Sequence, residues 1–274
     1  MSTELDLSEE AHVDAYDLAV VLADTKFITA HRYSEWAMLG APDIEEDIAL
    51  SSIIQDELGH ARAGYKAAEK VGNALPSDMS PSTTVDDLLY ERGPEAWRSP
   101  EVLDHRFDGW ADVIASLAIL DYATILLYES VRDGSFGPLQ SMAGKVLQEE
   151  SQHAQHGQAW FSVYADESQD EFDPADLQTS IDKFVPGVAT WLGTGGSDST
   201  LVDAGVLAQS NDSLREEFLE DIEDVVTANG FEMPAVSPDW SAWDESTRRT
   251  EPPSERFDDT VEAATGREHK YLAE

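Results

Sequence analysis

The 274-residue sequence contains no cysteine and few basic residues, with 17 Lys and Arg against 56 Asp and Glu. The lack of cysteine excludes disulfides, thiolate metal sites and a cysteine nucleophile. The net charge of −39 argues against nucleic acid or an anionic membrane as a partner, because phosphate binding needs clustered Lys and Arg. The acids are spread along the whole chain. We interpret them as a halophilic habitat signature, since high salt screens their repulsion.

Long hydrophobic runs are also missing. No stretch approaches the ~18 unbroken apolar residues of a membrane helix, and residues 1–10 lack the basic and then apolar pattern of a signal peptide. We therefore expect a soluble, cytoplasmic protein. Gly-x-Ser-x-Gly, Gly-x-Gly-x-x-Gly and phosphate-loop motifs are absent as well, which disfavours hydrolase, dinucleotide and nucleotide chemistry. The 41% hydrophobic content is ample for a core.

Two Glu-x-x-His pairs are the chemically informative motifs. Glu57 and His60 form the first pair, and Glu150 and His153 repeat it 93 residues later. On a helix, residues three positions apart leave the same face, so each pair can hold one metal ion. One such pair alone is a weak signal. Glu9 and His12 share the spacing without an upstream glutamate, and we interpret them as surface residues.

Each pair also has a glutamate on the preceding predicted helix. Glu35 lies 22 positions before Glu57, and Glu129 lies 21 positions before Glu150. Two single glutamates and two Glu-x-x-His pairs are the ligand set of di-iron or di-manganese four-helix bundles. The sequence therefore predicts two iron ions, with manganese as the alternative, held by Glu35, Glu57, His60, Glu129, Glu150 and His153. The alternative is that these residues are exposed polar groups on helices, or that the histidines are hydrogen-bonded within the core.

Smaller features repeat with the pairs. Asp56 and Glu149 each precede a paired glutamate, where an acid can accept the second ring proton of a histidine on the opposite helix pair. The alternative is that both are ordinary surface acids. Gly64 and Gly157 each follow the histidine by four positions, where a small residue could let the helices approach or leave room beside the ligands, or could equally be neutral.

The hydrophobic periodicity predicts an all-α, ferritin-like four-helix bundle with additional C-terminal helices. The four helices are expected over residues 14–40, 43–72, 108–131 and 138–164, with a long crossover between the second and third. Further helices are expected over 174–192 and 213–229. The predicted organisation is an acidic tail (1–13), the bundle (14–166), a helical extension (167–230) and an extended tail (231–274). The aromatic residues of that last tail suggest that a partner surface orders it.

Several segments resemble a known family. Residues 31–36 (HRYSEW), 45–50 (EEDIAL) and 56–62 (DELGHAR) are similar to the phenylacetyl-CoA epoxidase family of phenylacetic acid catabolism, and most closely to its structural subunit. The resemblance covers most of residues 14–235 and is weak towards the C-terminal end. In that family the structural subunit has lost several metal ligands that the catalytic subunit keeps. Here every position of the catalytic pattern is filled.

The resemblance implies a non-haem di-iron monooxygenase that epoxidises the ring of an aromatic acyl-CoA such as phenylacetyl-CoA. Its partners would be the acyl-CoA substrate, dioxygen, a reductase component and related subunits in a homo- or hetero-oligomer. The alternative is a non-catalytic structural subunit of such a complex. Iron storage and a ribonucleotide-reductase-like radical protein are less favoured, since storage proteins are usually shorter and no tyrosine can be assigned as a radical.

Overall fold

A computed structural model describes residues 7–37, 40–75, 84–166, 168, 170–195, 199–253 and 255–265. Helices make up 71% of the fold, and no strand occurs within these ranges. A single isolated bridge joins Asp244 and Arg249. The predicted all-α, ferritin-like class is confirmed.

The first helix pair is α1 (Glu9–Ser34) and α2 (Ile44–Gly72), which pack along each other. The Ser8 hydroxyl caps α1 by accepting a hydrogen bond from the backbone N–H of Ala11. The Asp43 carboxylate caps α2 by accepting a hydrogen bond from the backbone N–H of Glu46 at 2.8 Å, the N-terminal half of a capping box. Helix α1 starts five residues earlier than the periodicity predicts, so part of the expected acidic tail is helical.

The crossover contains only short helical turns. Asp87–Glu91 is π-helical, and Pro94–Ala96 and Glu101–Leu103 are 3₁₀ turns. The segment is anchored on α1, because the Asp24 carboxylate accepts hydrogen bonds from the Arg92 guanidinium at 2.6 and 2.8 Å. A buried carboxylate needs such a partner, and this pair fixes the crossover to the bundle.

The second helix pair begins with one continuous helix, Trp110–Asp133. It is α-helical over α3 (Trp110–Ala115) and α4 (Asp121–Asp133) and π-helical over Ser116–Leu120. Helix α5 (Gly137–Tyr164) packs along α4 and contacts α2. The 24-residue helix is long and apolar enough to cross a membrane, but 89% of its most apolar window is buried inside the fold. That burial is typical of the core helix of a soluble protein.

The C-terminal part adds α6 (Pro174–Leu192), α7 (Ser199–Asp203), α8 (Asn211–Ala228) and α9 (Glu255–Thr265). The chain after residue 230 is not an extended tail throughout. The Arg249 guanidinium forms a buried ion pair with Asp104 at 2.6 Å, and the fully buried Phe257 ring lies edge-on against Trp97. The sequence prediction missed this docking because the segment has little periodicity, and a partner surface within the chain leaves no such signal.

Candidate metal centre and its buried lysine

A buried ammonium group lies at the centre of the four-helix bundle. The Lys26 Nζ of α1 is 2.6 Å from Glu150 Oε2 of α5, 3.2 Å from Asp121 Oδ1 of α4 and 3.3 Å from Glu57 of α2. All four side chains are fully buried. Each of the four bundle helices therefore contributes one charged group to a single cluster, which we call the Lys26 cluster.

Two histidines complete the Lys26 cluster. The His60 Nδ1 lies 2.8 Å from Glu150 Oε1, and its Nε2 lies 2.8 Å from Glu149 Oε2. Since an ionised carboxylate only accepts hydrogen bonds, this arrangement suits a doubly protonated imidazolium. The His153 Nδ1 lies 3.3 Å from Glu57 Oε1, and the two imidazole rings are 6.2 Å apart.

Asp56 and Glu149 each lie near a histidine of the opposite helix. Glu149 of α5 reaches His60 of α2, and Asp56 of α2 lies 3.5 Å from His153 of α5. Both acids are partly exposed, at 36% and 27% of their side-chain surface. Glu149 thus orients the ring of His60, whereas Asp56 lies near His153 without a hydrogen bond to it.

Burial and charged neighbours act on the pKa values of the Lys26 cluster in opposing directions. Burial opposes the charge of Lys26, but Asp121, Glu150 and Glu57 outweigh it and hold the pKa of Lys26 well above its usual value. Burial raises the pKa of Asp121 to about 6, with Lys26 opposing the rise. Burial and the Glu150 charge raise the pKa of Glu57 well above its ordinary value.

The pKa values of Glu150 and His60 shift in the direction opposite to the effect of burial. Burial would raise the pKa of Glu150, but Lys26 and the hydrogen bond from His60 lower it. Burial would lower the pKa of His60, but Glu150 raises it. Lys26 and His60 are thus the two basic groups that contact the carboxyl groups of Glu57, Asp121 and Glu150.

The structure brings Glu57, His60, Glu150 and His153 together and leaves Glu35 outside. Glu35 is the first residue after α1, and its carboxylate pairs with Arg32 at 3.3 Å and with the exposed Arg106 at 3.2 Å. Glu57 lies 13 positions into α2, which is ~20 Å along that helix. In an antiparallel pair, residues at one level are about equally far from the connecting turn, so Glu35 is too close to the turn to reach Glu57.

Glu129 is displaced for the same reason. It lies four residues from the end of α4, its side chain is 42% exposed, and it pairs with Arg132 at 3.3 Å. At the level of the cluster the two single-helix positions hold Lys26 and Asp121 instead. These replace Glu35 and Glu129 in the predicted residue set.

The sequence carried a signal for Lys26 and Asp121 that the spacing argument overlooked. Lys26 lies 31 residues before Glu57, and Asp121 lies 29 before Glu150. Each is a charged residue within a strongly apolar part of its helix. The ~30-residue separation is what two antiparallel helices of this length require, whereas separations of 22 and 21 are too short.

Close helix contacts frame the cluster. A Cβ at Gly157 of α5 would lie 2.5 Å from the backbone nitrogen of Ala118 and 2.6 Å from Leu117 Cβ, both in the π-helical turn before Asp121. A Cβ at Gly64 of α2 would lie 2.9 Å from Ala23 Cβ of α1. The helices therefore approach closely at both glycines, and the wider π turn immediately precedes Asp121.

The donor atoms of the Lys26 cluster could hold a metal ion. Glu57, Asp121, Glu150 and His153 each offer one donor atom, and these atoms lie within 4.8 Å of one another. The His153 Nδ1 and the Glu57 Oε2 are buried without a hydrogen bond from a described residue. A two-metal set, however, requires a carboxylate where Lys26 stands. The residues as placed match that set at five of six positions, and the sixth carries a positive charge.

Comparison with known proteins identifies the family that several sequence segments resemble. A family model described as "Phenylacetic acid catabolic protein" matches residues 1–256. One component of the 1,2-phenylacetyl-CoA epoxidase of Escherichia coli (strain K12) is 24% identical over 198 residues, covering 71% of this chain and 60% of that protein. A second component of the same enzyme is 25% identical over 140 residues, covering 51% and 52%. The chain thus spans less than two thirds of the length of either relative.

Proposed function

The chain belongs to the phenylacetic acid catabolic protein family, and we propose that it is a non-catalytic structural subunit of a multi-subunit oxygenase. The observation that carries the proposal is the Lys26 ammonium, which lies within 3.3 Å of three carboxylates from three other helices. A covalently attached cation there supplies the positive charge that a metal ion supplies in di-metal bundles. The fold is then stable without a metal, and the chemistry belongs to a related subunit.

The positive charge of Lys26 supports a structural role for this chain. Two like cations at contact distance repel each other strongly in a buried site, so a metal between these carboxylates would have to displace Lys26. The ammonium is itself held by an ion pair of 2.6 Å and is buried on all sides. Moving it away would leave a buried cation without its partners, at a cost of several kcal/mol.

The relatives' names indicate the reaction of the whole complex. Both are subunits of a phenylacetyl-CoA epoxidase, so the complex containing this chain would epoxidise an aromatic acyl-CoA in the cytoplasm. Acyl-CoA, dioxygen and the electrons of a reductase component would meet at the related subunit that carries the complete di-iron set. The present chain would hold that subunit in place.

A second candidate is a di-iron monooxygenase in this chain itself. It is favoured by the donor atoms that lie within 4.8 Å of one another and by the buried His153 Nδ1, which forms no hydrogen bond with the part of the chain that the structure describes. Glu57, Asp121, Glu150 and the two histidines would be the protein ligands. This function requires that Lys26 leave the cluster.

Iron quantification in purified protein, after loading with ferrous iron, distinguishes the two functions. We expect wild-type protein to hold well under one ion per chain. Lys26→Glu restores a carboxylate on the first helix and should raise the content to about two ions per chain. Lys70→Glu, an exposed change on α2, is the control and should leave the content unchanged. About two irons in wild-type protein, with oxygen consumption coupled to an aryl-CoA, would instead support the monooxygenase.

Lys26→Met gives a second measurement that does not depend on the folding of Lys26→Glu. Removing the ammonium leaves buried carboxylates without their partner, so the free energy of unfolding should fall by about 3–5 kcal/mol. Urea denaturation monitored by circular dichroism measures this change. If a metal ion held the carboxylates instead, the loss would be small and would appear only after chelation.

A further inference from the structure

The exposed face of α2 differs from the rest of this acidic surface. Among the described residues, the large hydrophobic side chains that are exposed are Ile44, Ile48 and Leu58, at 63%, 65% and 45%. All three lie on α2. Between Ile48 and Gly59 the other exposed positions are Ser52 and Gln55, and none is charged. Apart from the partly exposed Asp56, three helical turns therefore carry no charge at the surface, in a chain with a net charge of −39.

The neighbouring helix α5 has the same character. Its exposed positions whose side chains the structure describes are uncharged from residue 140 to residue 159: Gln140, Ser141, Gly144, Gln148, Gln152, Gln155 and Ala159. By contrast, α8 exposes acids at Glu216, Glu217, Glu223 and Asp224. Within these two stretches of α2 and α5 the acids that reach the surface are the partly exposed Asp56 and Glu149, and the exposed Glu45 lies outside them, at the start of α2.

The two helices form one continuous surface. Contacts between them run along their seam, where Glu46 pairs with His156 at 2.8 Å and Glu149 pairs with His60 at 2.8 Å. These polar groups are partly buried and satisfied by each other. The exposed rows on either side of the seam are what we call the α2–α5 face.

A row of basic residues extends the α2–α5 face. Arg62, Lys66 and Lys70 are exposed at successive turns of α2, and none forms an ion pair with another described residue. Most other basic side chains that the structure describes are paired with carboxylates, as Arg92 is with Asp24. Three unpaired cations in a row suit a partner surface that is itself acidic.

We propose that the α2–α5 face is the docking surface for a second, acidic four-helix subunit of the same family. This inference rests on the proposed function, which requires a related catalytic subunit. Two strongly acidic chains repel each other over most of their surfaces. They can approach only where charge is absent or reversed, and this face provides both. Ser52 and Gly59 are small, and a Cβ at Gly59 would meet nothing within 4 Å, so a partner helix can lie close to α2.

The dimensions of the face are sufficient. From Ile48 to Lys70, α2 spans ~33 Å, and two adjacent helices present a width of ~20 Å. The resulting ~650 Å² approaches the ~800 Å² per partner of a standard protein interface. Docking here would also cover the rim acids Asp56 and Glu149, and so would shield the Lys26 cluster from water.

Co-expression with the related subunit of the same organism that carries a carboxylate at the Lys26 position tests the inference. We expect a complex in which hydrogen exchange slows in α2 and α5 and not in α8. The double change Leu58→Glu and Gln152→Glu adds two charges to the face and should weaken binding by about 10-fold or more. Thr227→Glu with Ala228→Glu on α8 adds the same charge elsewhere and should change it less than about two-fold.

The alternative outcomes are distinct. A complex whose protected segments lie outside α2 and α5 would overturn the assignment of the face but leave the structural-subunit function intact. Association of this chain only with itself through the face would overturn the choice of partner. If no complex forms and the isolated chain holds iron and turns over substrate, the proposed function and this inference both fail.

Discussion

An ionisable side chain loses its hydration when it is buried. The buried ionisable residues of this chain compensate for that loss either by pairing with opposite charges or by a shift in pKa. Asp24 is paired with Arg92, and Lys26 lies among three carboxylates that hold its pKa well above the usual value. No positively charged neighbour contributes to the pKa shift of Asp14. Burial together with the nearby Asp17 and Glu10 charges raises the pKa of Asp14 to about 6. A residue of this kind makes stability depend on pH.

Asp14→Asn should change the pH dependence of stability. The folded-state pKa of about 6 lies above the ordinary 3.8, so protonated Asp14 stabilises the fold fully below pH 3.8, and this contribution is lost as the pH rises through 6. Relative to the variant, wild-type protein should lose about 1 kcal/mol between pH 4 and 7, a value reduced because the residue is half-exposed. Urea denaturation at each pH measures it. With the exposed Glu223→Gln as the charge control, a difference that stays flat would contradict the prediction.

The helices set which residues can meet. Antiparallel packing of α1 on α2 and of α4 on α5 places Lys26 and Asp121 beside the two Glu-x-x-His pairs, and it leaves Glu35 and Glu129 near the turns. The π-helical turn Ser116–Leu120 lies against Gly157 of α5. The position of Asp121 therefore depends on how closely α5 approaches that turn.

Gly157→Ala should be destabilising by about 1–3 kcal/mol, since the new methyl group would press on backbone atoms of the π turn. Gly144→Ala on the same helix is the matched control. A Cβ at Gly144 meets nothing within 4 Å, and alanine is the better helix former, so the control should be neutral or stabilising by up to about 1 kcal/mol. Thermal denaturation compares the two. Equal effects would show that α5 does not press on the turn.

At the scale of the whole molecule, the C-terminal segment locks the crossover onto the bundle. Arg249 pairs with Asp104, the fully buried Arg32 guanidinium donates to Thr260 Oγ1 at 2.9 Å, and Phe257 packs on Trp97. Residues more than 140 positions apart are thereby joined. We expect this segment to unfold together with the bundle and not before it.

Phe257→Ala tests whether that docking holds in solution. The ring is fully buried, so its removal should lower the free energy of unfolding by about 3–5 kcal/mol. Glu262→Ala, an exposed change on the same helix α9, should cost less than about 0.5 kcal/mol. Equilibrium denaturation of both variants gives the comparison. A loss under about 1 kcal/mol for Phe257→Ala would mean that the segment is detached, as the sequence alone suggested.

The sequence by itself determined the all-helical class, the order of the bundle helices and the two Glu-x-x-His pairs. These follow from periodicity and from spacing within one helix, which are local properties. Only the tertiary structure decided that Lys26 and Asp121, and not Glu35 and Glu129, meet those pairs. That choice depends on how far each residue lies from the turn between two antiparallel helices, and so on where the helices end, which sequence patterns define least well.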